Sequence, residues 1–204
     1  LINCPYLQKI NLYKMKTKYF LLALVLSSYT FGLQGQIQTI NTAKSSVSWL
    51  GKKITGQHEG TIKIKSGSLE IKNNKISSGN FVIDMNTISC SDLEDAGYNQ
   101  KLVGHLKSDD FFGVGKFPNA ILKINNSSAF LNNVASVKGQ ITIKGKTEDI
   151  RFDVTNEKNT YSAKIEIDRS KFNVRYGSTS FFETLGDKAI DDIFTLNIKL
   201  LTNN

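Results

Sequence analysis

The sequence contains very little cysteine, histidine or proline, with only two residues of each among 204. Cys4 lies in an N-terminal segment that we expect to be removed, so Cys90 is left alone and no internal disulfide is expected. Two histidines exclude a histidine-rich metal site, although a mixed His/Asp site stays open. The chain also lacks Gly-x-Ser-x-Gly, His-Glu-x-x-His, Cys-x-x-Cys and phosphate-binding Gly-rich motifs. We therefore predict no catalytic residue, no metal site and no cofactor.

The chain is basic, with 26 Lys and Arg against 18 Asp and Glu, a net charge of +8. Part of this excess belongs to residues 1–35, which contain four lysines and no acidic residue. Many other lysines, such as Lys63 and Lys65, alternate with apolar residues and are expected on a solvated strand face. Because no aromatic platform or known nucleic-acid module accompanies them, we predict no nucleic-acid partner.

The N-terminal region has the features of a secretory signal peptide. Met15 is followed by two lysines and an apolar run from residue 19 to residue 26, which continues more weakly to residue 31. The run is too short and too interrupted by Ser and Thr for a typical bilayer span of about 20 residues. We predict a signal peptide at 15–35 cleaved near Gly35, preceded by an unstructured upstream extension at 1–14. The mature protein, residues 36–204, is then a single periplasmic or secreted domain without stable membrane insertion.

Apolar and polar residues alternate along most of this domain, which is the pattern of strands with one buried face. Short polar connections separate the runs and suit antiparallel neighbours. They lie at residues 65–68, 72–75, 145–148 and 157–159. Eight or nine strands without intervening helices must form a barrel or a sandwich. We predict an all-β antiparallel barrel of about eight strands.

Two stretches, residues 91–118 and 169–190, break the alternation. In the first, Ser91 and Glu94 have the spacing of a helix capping box. Leu102 and Leu106 in the same stretch are spaced to share a helix face. We predict that the two stretches form one or two short helices or lids at a barrel end.

Three segments in order resemble the YceI family of periplasmic proteins: residues 105–112 (HLKSDDFF) with Phe117-Pro118, residues 139–147 (GQITIKGKT), and residues 167–172 (IDRSKF). The resemblance covers about residues 47–201, and the chain departs from the family pattern at residues 175–183. It implies a lipocalin-like barrel that binds polyisoprenoid or similar amphiphilic lipids. On this basis we predict a noncatalytic, exported carrier or sequestering protein for an isoprenoid-type amphiphile such as a quinone or polyprenyl lipid.

The candidate ligand-binding residues combine inward-facing strand positions with the aromatic and basic residues of the two interruptions. His105 would meet the head group, and Arg175 would suit a phosphate at a second rim contact. The full set is Trp49, Phe81, Ile83, Met85, His105, Phe111, Phe112, Phe117, Arg175, Tyr176, Phe181 and Phe182.

Two other functions stay open, together with the presence of a homodimer. One is an enzyme acting on an amphiphilic substrate, with His105 and either Asp109 or Asp110 transferring a proton. The other is a filled barrel that serves as a structural or interaction module. The more conservative interpretation of the two aspartates is structural, as helix caps or as partners of Arg169.

Overall fold

The computed structural model describes residues 35–203. The predicted upstream extension (1–14) and signal peptide (15–35) lie outside this part of the chain, apart from Gly35. Between residues 35 and 203, no helix has both the length and the apolar character that crossing a bilayer requires.

Nine strands, one α-helix and two short 3-10 helices make up residues 35–203. The strands are β1 (Gln36–Thr39), β2 (Ser46–Lys53), β3 (Gly56–Lys72), β4 (Lys75–Cys90), β5 (Asn119–Ser127), β6 (Val134–Ile143), β7 (Lys146–Glu157), β8 (Thr160–Asp168) and β9 (Ile193–Leu201). Helix α1 (Ala96–Lys107) separates β4 from β5, and the 3-10 helices Arg169–Phe172 and Gly186–Lys188 lie between β8 and β9.

The sheet closes on itself to form an antiparallel eight-stranded barrel, as the alternation predicted. Strands β3 to β9 pair in chain order, each with the next. The pairing of β7 with β8 is short and involves only the last four residues of β7, 154–157. Strand β2 lies between β9 and β3 and completes the ring. Strand β1 pairs with the second half of β3, beyond the part that β2 covers.

Tight turns join consecutive strands at three of the four polar connections that were predicted from the sequence. Asn73 and Asn74 both have positive φ angles, 52° and 57°, between β3 and β4. Lys144 and Gly145, at 49° and 76°, form the turn between β6 and β7. Two consecutive positive φ angles are typical of the two-residue turns whose twist matches that of a hairpin.

The fourth predicted connection, residues 65–68, was wrong. These residues lie within β3, which continues to Lys72 and pairs with β4 across this region. The register shifts between Ile64 and Ser66, so the local polarity marks a β-bulge rather than a turn. Gly67 lies here against the Phe81 ring, which leaves no space for a side chain.

The two interruptions of the alternation lie at the same end of the barrel, which we call the helix end. They comprise α1 with residues 108–118, and residues 169–192; together we call them the cover. Phe111, Val114, Phe172 and Val174 of the cover join the buried cluster of this end. The predicted capping box was wrong, because the α1 N-cap is Asp95, whose side chain accepts a hydrogen bond from the Tyr98 N–H.

The opposite end, which we call the hairpin end, is closed by a separate group of buried side chains. Its members include Ile40, Leu69, Ile76, Val137 and Tyr161. The Tyr161 hydroxyl donates a hydrogen bond to Gln38 Oε1 at 3.0 Å, so its polar group is satisfied in this apolar region. The barrel interior is therefore sealed from solvent at this end by the protein's own side chains.

Gly139 of β6 lies where the backbones of β5 and β6 approach each other closely, and it provides a test of this packing. A Cβ at this position would overlap with the Lys123 carbonyl oxygen of β5. We expect Gly139→Ala to lower the free energy of unfolding by about 1–3 kcal/mol, because the two backbones must separate. The measurement is chemical denaturation followed by circular dichroism.

The matched control is Gly104→Ala in α1, where an added Cβ meets nothing within 4 Å. This exchange should leave stability unchanged or raise it by about 0.5–1 kcal/mol, since alanine favours a helix over glycine. Equal effects of the two substitutions would contradict the packing assigned to Gly139.

Candidate functional site

The barrel contains an internal cavity of about 180 Å³. Its wall is almost entirely apolar, and the exceptions are Tyr161, Ser162, Arg169 and Asp191. The lining residues come from both buried clusters, from the hairpin end to the helix end. The cavity is therefore suited to an apolar group rather than to a charged one.

Six of the predicted ligand-binding residues lie on the cavity wall. Four lie at the inward strand positions that the alternation predicted, and two lie in the cover. The six residues are Trp49, Phe81, Ile83, Met85, Phe111 and Phe112. The Trp49 indole donates its N–H to the Ser89 carbonyl at 3.0 Å, so the ring's polar group is already satisfied by the protein.

Many lining residues were missed, although the same alternation contained their signal. Some belong to β2, β3 and β4, such as Val47, Ile62 and Ile88. The others belong mainly to β5 through β9, whose apolar faces were recognised but not assigned to the site, and include Leu122, Ile141, Phe152, Ile165, Leu196 and Ile198. Because a barrel surrounds its interior, each strand contributes to the wall.

His105 lies in the cover and is absent from the cavity wall. Its ring makes edge-to-face contacts with Tyr176, at 4.3 Å between centroids, and with Phe111, at 5.8 Å. Tyr176 belongs to the second covering segment, so His105 connects the two segments. Phe111 in turn contacts Phe112 at 5.0 Å, and both of these rings reach the wall.

The other five predicted residues also lie away from the wall. Phe117 packs against the β6–β7 turn, where a Cβ on Gly145 would lie 2.8 Å from its ring. Arg175 lies over the Phe181 ring, 4.5 Å from its centroid. Tyr176 and Phe182 are each 49% exposed, so this group forms the outer surface of the cover.

Arg169, missed as a site residue, is 2% exposed and lies at the helix end of the cavity. Its guanidinium donates hydrogen bonds to four main-chain carbonyls, those of Val174, Tyr176, Ile190 and Asp191, at 2.8–3.1 Å. It also forms a 3.3 Å ion pair with Asp192 and lies over the Phe111 ring at 5.4 Å. Arg169 therefore fastens residues 174–192 and contacts the other covering segment.

Burial and direct contacts have opposite effects on the pKa values of Arg169 and Asp192. The pKa of Arg169 is lowered by burial, against the attraction of Asp192. The pKa of Asp192 is also lowered, because hydrogen bonds from Ser178 and Ser180 and the charge of Arg169 outweigh the effect of burial. The carboxyl of Asp192 is thus ionised at neutral pH and faces the guanidinium, while its buried Oδ1 atom has no hydrogen-bond partner within residues 35–203.

The comparisons with known proteins agree with this geometry. A family model described as a YceI-like domain matches residues 38–201. The chain belongs to the YceI-like family. No curated protein matches the sequence.

Two solved structures resemble the YceI-like barrel described here. BcnA of Burkholderia cenocepacia is 26% identical, with a TM-score of 0.63 over 80% of this chain and 99% of that one. A polyisoprenoid binding domain from Saccharophagus degradans is 12% identical, with a TM-score of 0.53 over 81% and 97% of the two chains. At this identity the second comparison supports the fold.

The geometry of this YceI-like protein does not join His105 to either aspartate. Within residues 35–203, no hydrogen bond links the His105 ring to Asp109 or Asp110. Asp109 instead forms a 2.6 Å ion pair with Lys116, whose hydrogen bond lowers the pKa of the carboxyl. The expected pairing of the aspartates with Arg169 was wrong, since Arg169 pairs with Asp192.

Lys144 connects the cover of the YceI-like barrel to the β6–β7 turn. Its ammonium donates to the Asp109 carbonyl at 2.9 Å and to the Asn173 carbonyl at 3.3 Å, one in each covering segment. Burial lowers the pKa of Lys144, while Asp109 and Asp110 oppose the shift. The two covering segments are therefore joined through Lys144 of the barrel as well as through their direct contacts.

The role of Arg169 predicts a large loss of stability on substitution. Arg169→Met removes the donors of four buried carbonyls and leaves Asp192 without its cation. We expect the free energy of unfolding to fall by about 3 kcal/mol. Arg151→Met, on the exposed face of β7, should change it by less than about 0.5 kcal/mol. Similar denaturation midpoints for the two variants would contradict the anchoring role.

Proposed function

We propose that this protein is an exported carrier or sequestering protein that holds an isoprenoid-type amphiphile, such as a quinone or polyprenyl lipid, inside its barrel. The observation that carries the proposal is the apolar internal cavity of about 180 Å³. Membership of the YceI-like family supports it, as does the fold shared with a polyisoprenoid binding domain. The mechanism is partition of the apolar tail out of water, with the barrel as a shield.

The cavity offers enough driving force for such a ligand. Each buried methylene contributes about 0.8 kcal/mol. Ten methylenes therefore give roughly 8 kcal/mol before ordering costs, which corresponds to micromolar affinity. A cavity of about 150 Å³ lined by Leu, Ile and Phe accepts a benzene molecule. The present volume thus holds a short segment of the tail as it stands, and a longer tail requires the wall or the cover to move outward.

We place the head group at the helix end. A charged or strongly polar head loses its hydration if it enters an apolar cavity without partners. The hairpin end is closed by buried side chains, whereas the cover carries polar groups and includes His105, Arg175 and Tyr176. These three residues stay our predicted head-group contacts, reached from the outer side of the cover. Export to the periplasm or beyond, through the segment at 15–35, is part of the same proposal.

The cavity weighs against a filled barrel that serves only as a structural or interaction module, because the space beneath Phe111 and Phe112 is open. The separation of His105 from Asp109 likewise gives no support to proton transfer between them. Neither alternative is favoured by an observation of its own.

Trp49 provides a direct test, because it is the single tryptophan of the chain and lies on the cavity wall. A quinone with an isoprenoid tail should quench its fluorescence saturably, with a micromolar dissociation constant. Ala163→Phe should weaken binding at least tenfold, since its ring would fill part of the cavity. Farnesyl phosphate, competing against the quinone, tests the other head-group class.

Ala43→Phe is the matched control, because it adds the same ring at an exposed position in a turn. It should bind as the unsubstituted protein does. Native mass spectrometry of the purified protein, followed by lipid extraction, should also recover an apolar molecule. Protein that is repeatedly ligand-free and binds neither quinones nor polyprenyl phosphates would refute the proposal.

A further inference from the structure

A second group of side chains lies on the barrel wall, where β3 begins and β4 ends. Gly60 of β3 pairs with Cys90 of β4 in antiparallel register. His58, two residues before Gly60, is therefore brought opposite Asp92, two residues after Cys90. Because side chains alternate along a strand, this spacing places His58, Cys90 and Asp92 on one face. His58 is only partly exposed and has a specific partner.

The three side chains converge through Asp92. Its Oδ2 lies 2.8 Å from His58 Nδ1, and its Oδ1 lies 3.1 Å from Cys90 Sγ. The Glu59 main-chain N–H also donates to Oδ1, at 2.9 Å, which fixes the orientation of the carboxylate. All three potential ligand atoms lie within 4.8 Å of one another.

We propose that His58, Cys90 and Asp92 form a binding site for a divalent transition-metal ion, with Zn²⁺ as the preferred ion. Imidazole nitrogen, thiolate sulfur and carboxylate oxygen are the three protein donors that zinc uses. A soft thiolate beside an imidazole favours zinc over the hard ions Mg²⁺ and Ca²⁺, which require oxygen ligands. The inference is independent of the lipid proposed for the barrel interior.

The observed distances fit a site prepared for an ion. Zinc–ligand bonds of about 2.0–2.3 Å in tetrahedral geometry hold neighbouring ligand atoms roughly 3.3–3.7 Å apart. His58 Nδ1 and Cys90 Sγ contact the two oxygens of one carboxylate at 2.8 and 3.1 Å, and all three ligand atoms lie within 4.8 Å, so small side-chain adjustments bring them to these separations. The side chains of His58 and Asp92 are 30% and 27% exposed, so an ion can enter and a water molecule can complete the coordination.

The Asp92 carboxylate is ready to bind a cation at neutral pH. Burial opposes its ionisation, but hydrogen bonds from Glu59, Cys90 and His58 outweigh this effect and lower the pKa to about 2. Burial and the hydrogen bond to Asp92 raise the pKa of the Cys90 thiol, so an ion must displace the thiol proton when it binds.

An ion at this position would also connect elements that shape the cavity. Cys90 ends β4, and its carbonyl accepts a hydrogen bond from Asn99 of α1 at 3.0 Å. One residue earlier, the Ser89 carbonyl holds the indole of Trp49 on the cavity wall. Binding therefore crosslinks β3 to the segment that leads into the cover, next to the intrinsic fluorophore.

Co²⁺ is the probe of choice, because it replaces Zn²⁺ and gives a thiolate-to-metal absorption band in the near ultraviolet. The experiment uses the full chain with Cys4→Ser, so that Cys90 is its single thiol. We expect one Co²⁺ per chain with this band, and displacement of the Co²⁺ by Zn²⁺. Cys90→Ser should abolish the band, and His58→Gln or Asp92→Asn should weaken Co²⁺ binding at least tenfold.

Glu94→Gln is the matched control, since it removes a carboxylate from the same connection outside the cluster; its Co²⁺ affinity should be unchanged. Circular dichroism establishes that each variant is folded, and the titration of the Cys4→Ser protein tests the site even if a variant is not. Absence of the thiolate band from that protein, or its persistence in Cys90→Ser, would show that the cluster is only a structural hydrogen-bond group and overturn the proposal.

Discussion

The cover depends on one buried guanidinium. Burying a charge is costly unless hydrogen bonds and an opposite charge compensate it. Arg169 meets this condition only while residues 174–192 hold their carbonyls and Asp192 around it. The same group lies over Phe111, which belongs to the other covering segment and reaches the cavity wall. The shape of the helix end is thus a consequence of satisfying a single side chain, and movement of either segment disturbs the other.

The polar donors beside the cavity are hydrogen-bonded to main-chain carbonyls, and this limits how the interior can discriminate between ligands. The Trp49 N–H and the Arg169 donors are occupied by carbonyls, so the wall selects by size and apolarity. A single methylene changes affinity by about 0.8 kcal/mol, or roughly fourfold. For the proposed amphiphile, discrimination between related tails would therefore be modest, and strong specificity would come from groups that contact the head outside the cavity.

Local patterns predicted the barrel well because its turns and alternation are local properties. The turn at residues 73–74 needs only its two asparagines, whereas residues 65–68 resemble a turn and are held in a strand by pairing with a distant segment. Trp49 was placed on the wall by alternation alone. The position of His105 could not be predicted in this way, since its contact with Tyr176 depends on how residues 169–192 fold back over the barrel.

Closure of the ring has a consequence for a protein with an apolar interior. Unpaired strand edges offer backbone groups to other chains and promote aggregation. Strands β2 to β9 form a ring, but β7 and β8 pair only at residues 154–157 of β7, so within residues 35–203 both the short β1 and residues 146–153 of β7 lack a partner on one side. The four residues of β1, with Ile37 73% exposed, form a small template for intermolecular strand addition. The fold therefore keeps an apolar interior while unpaired edges remain at β1 and on one side of the junction between β7 and β8.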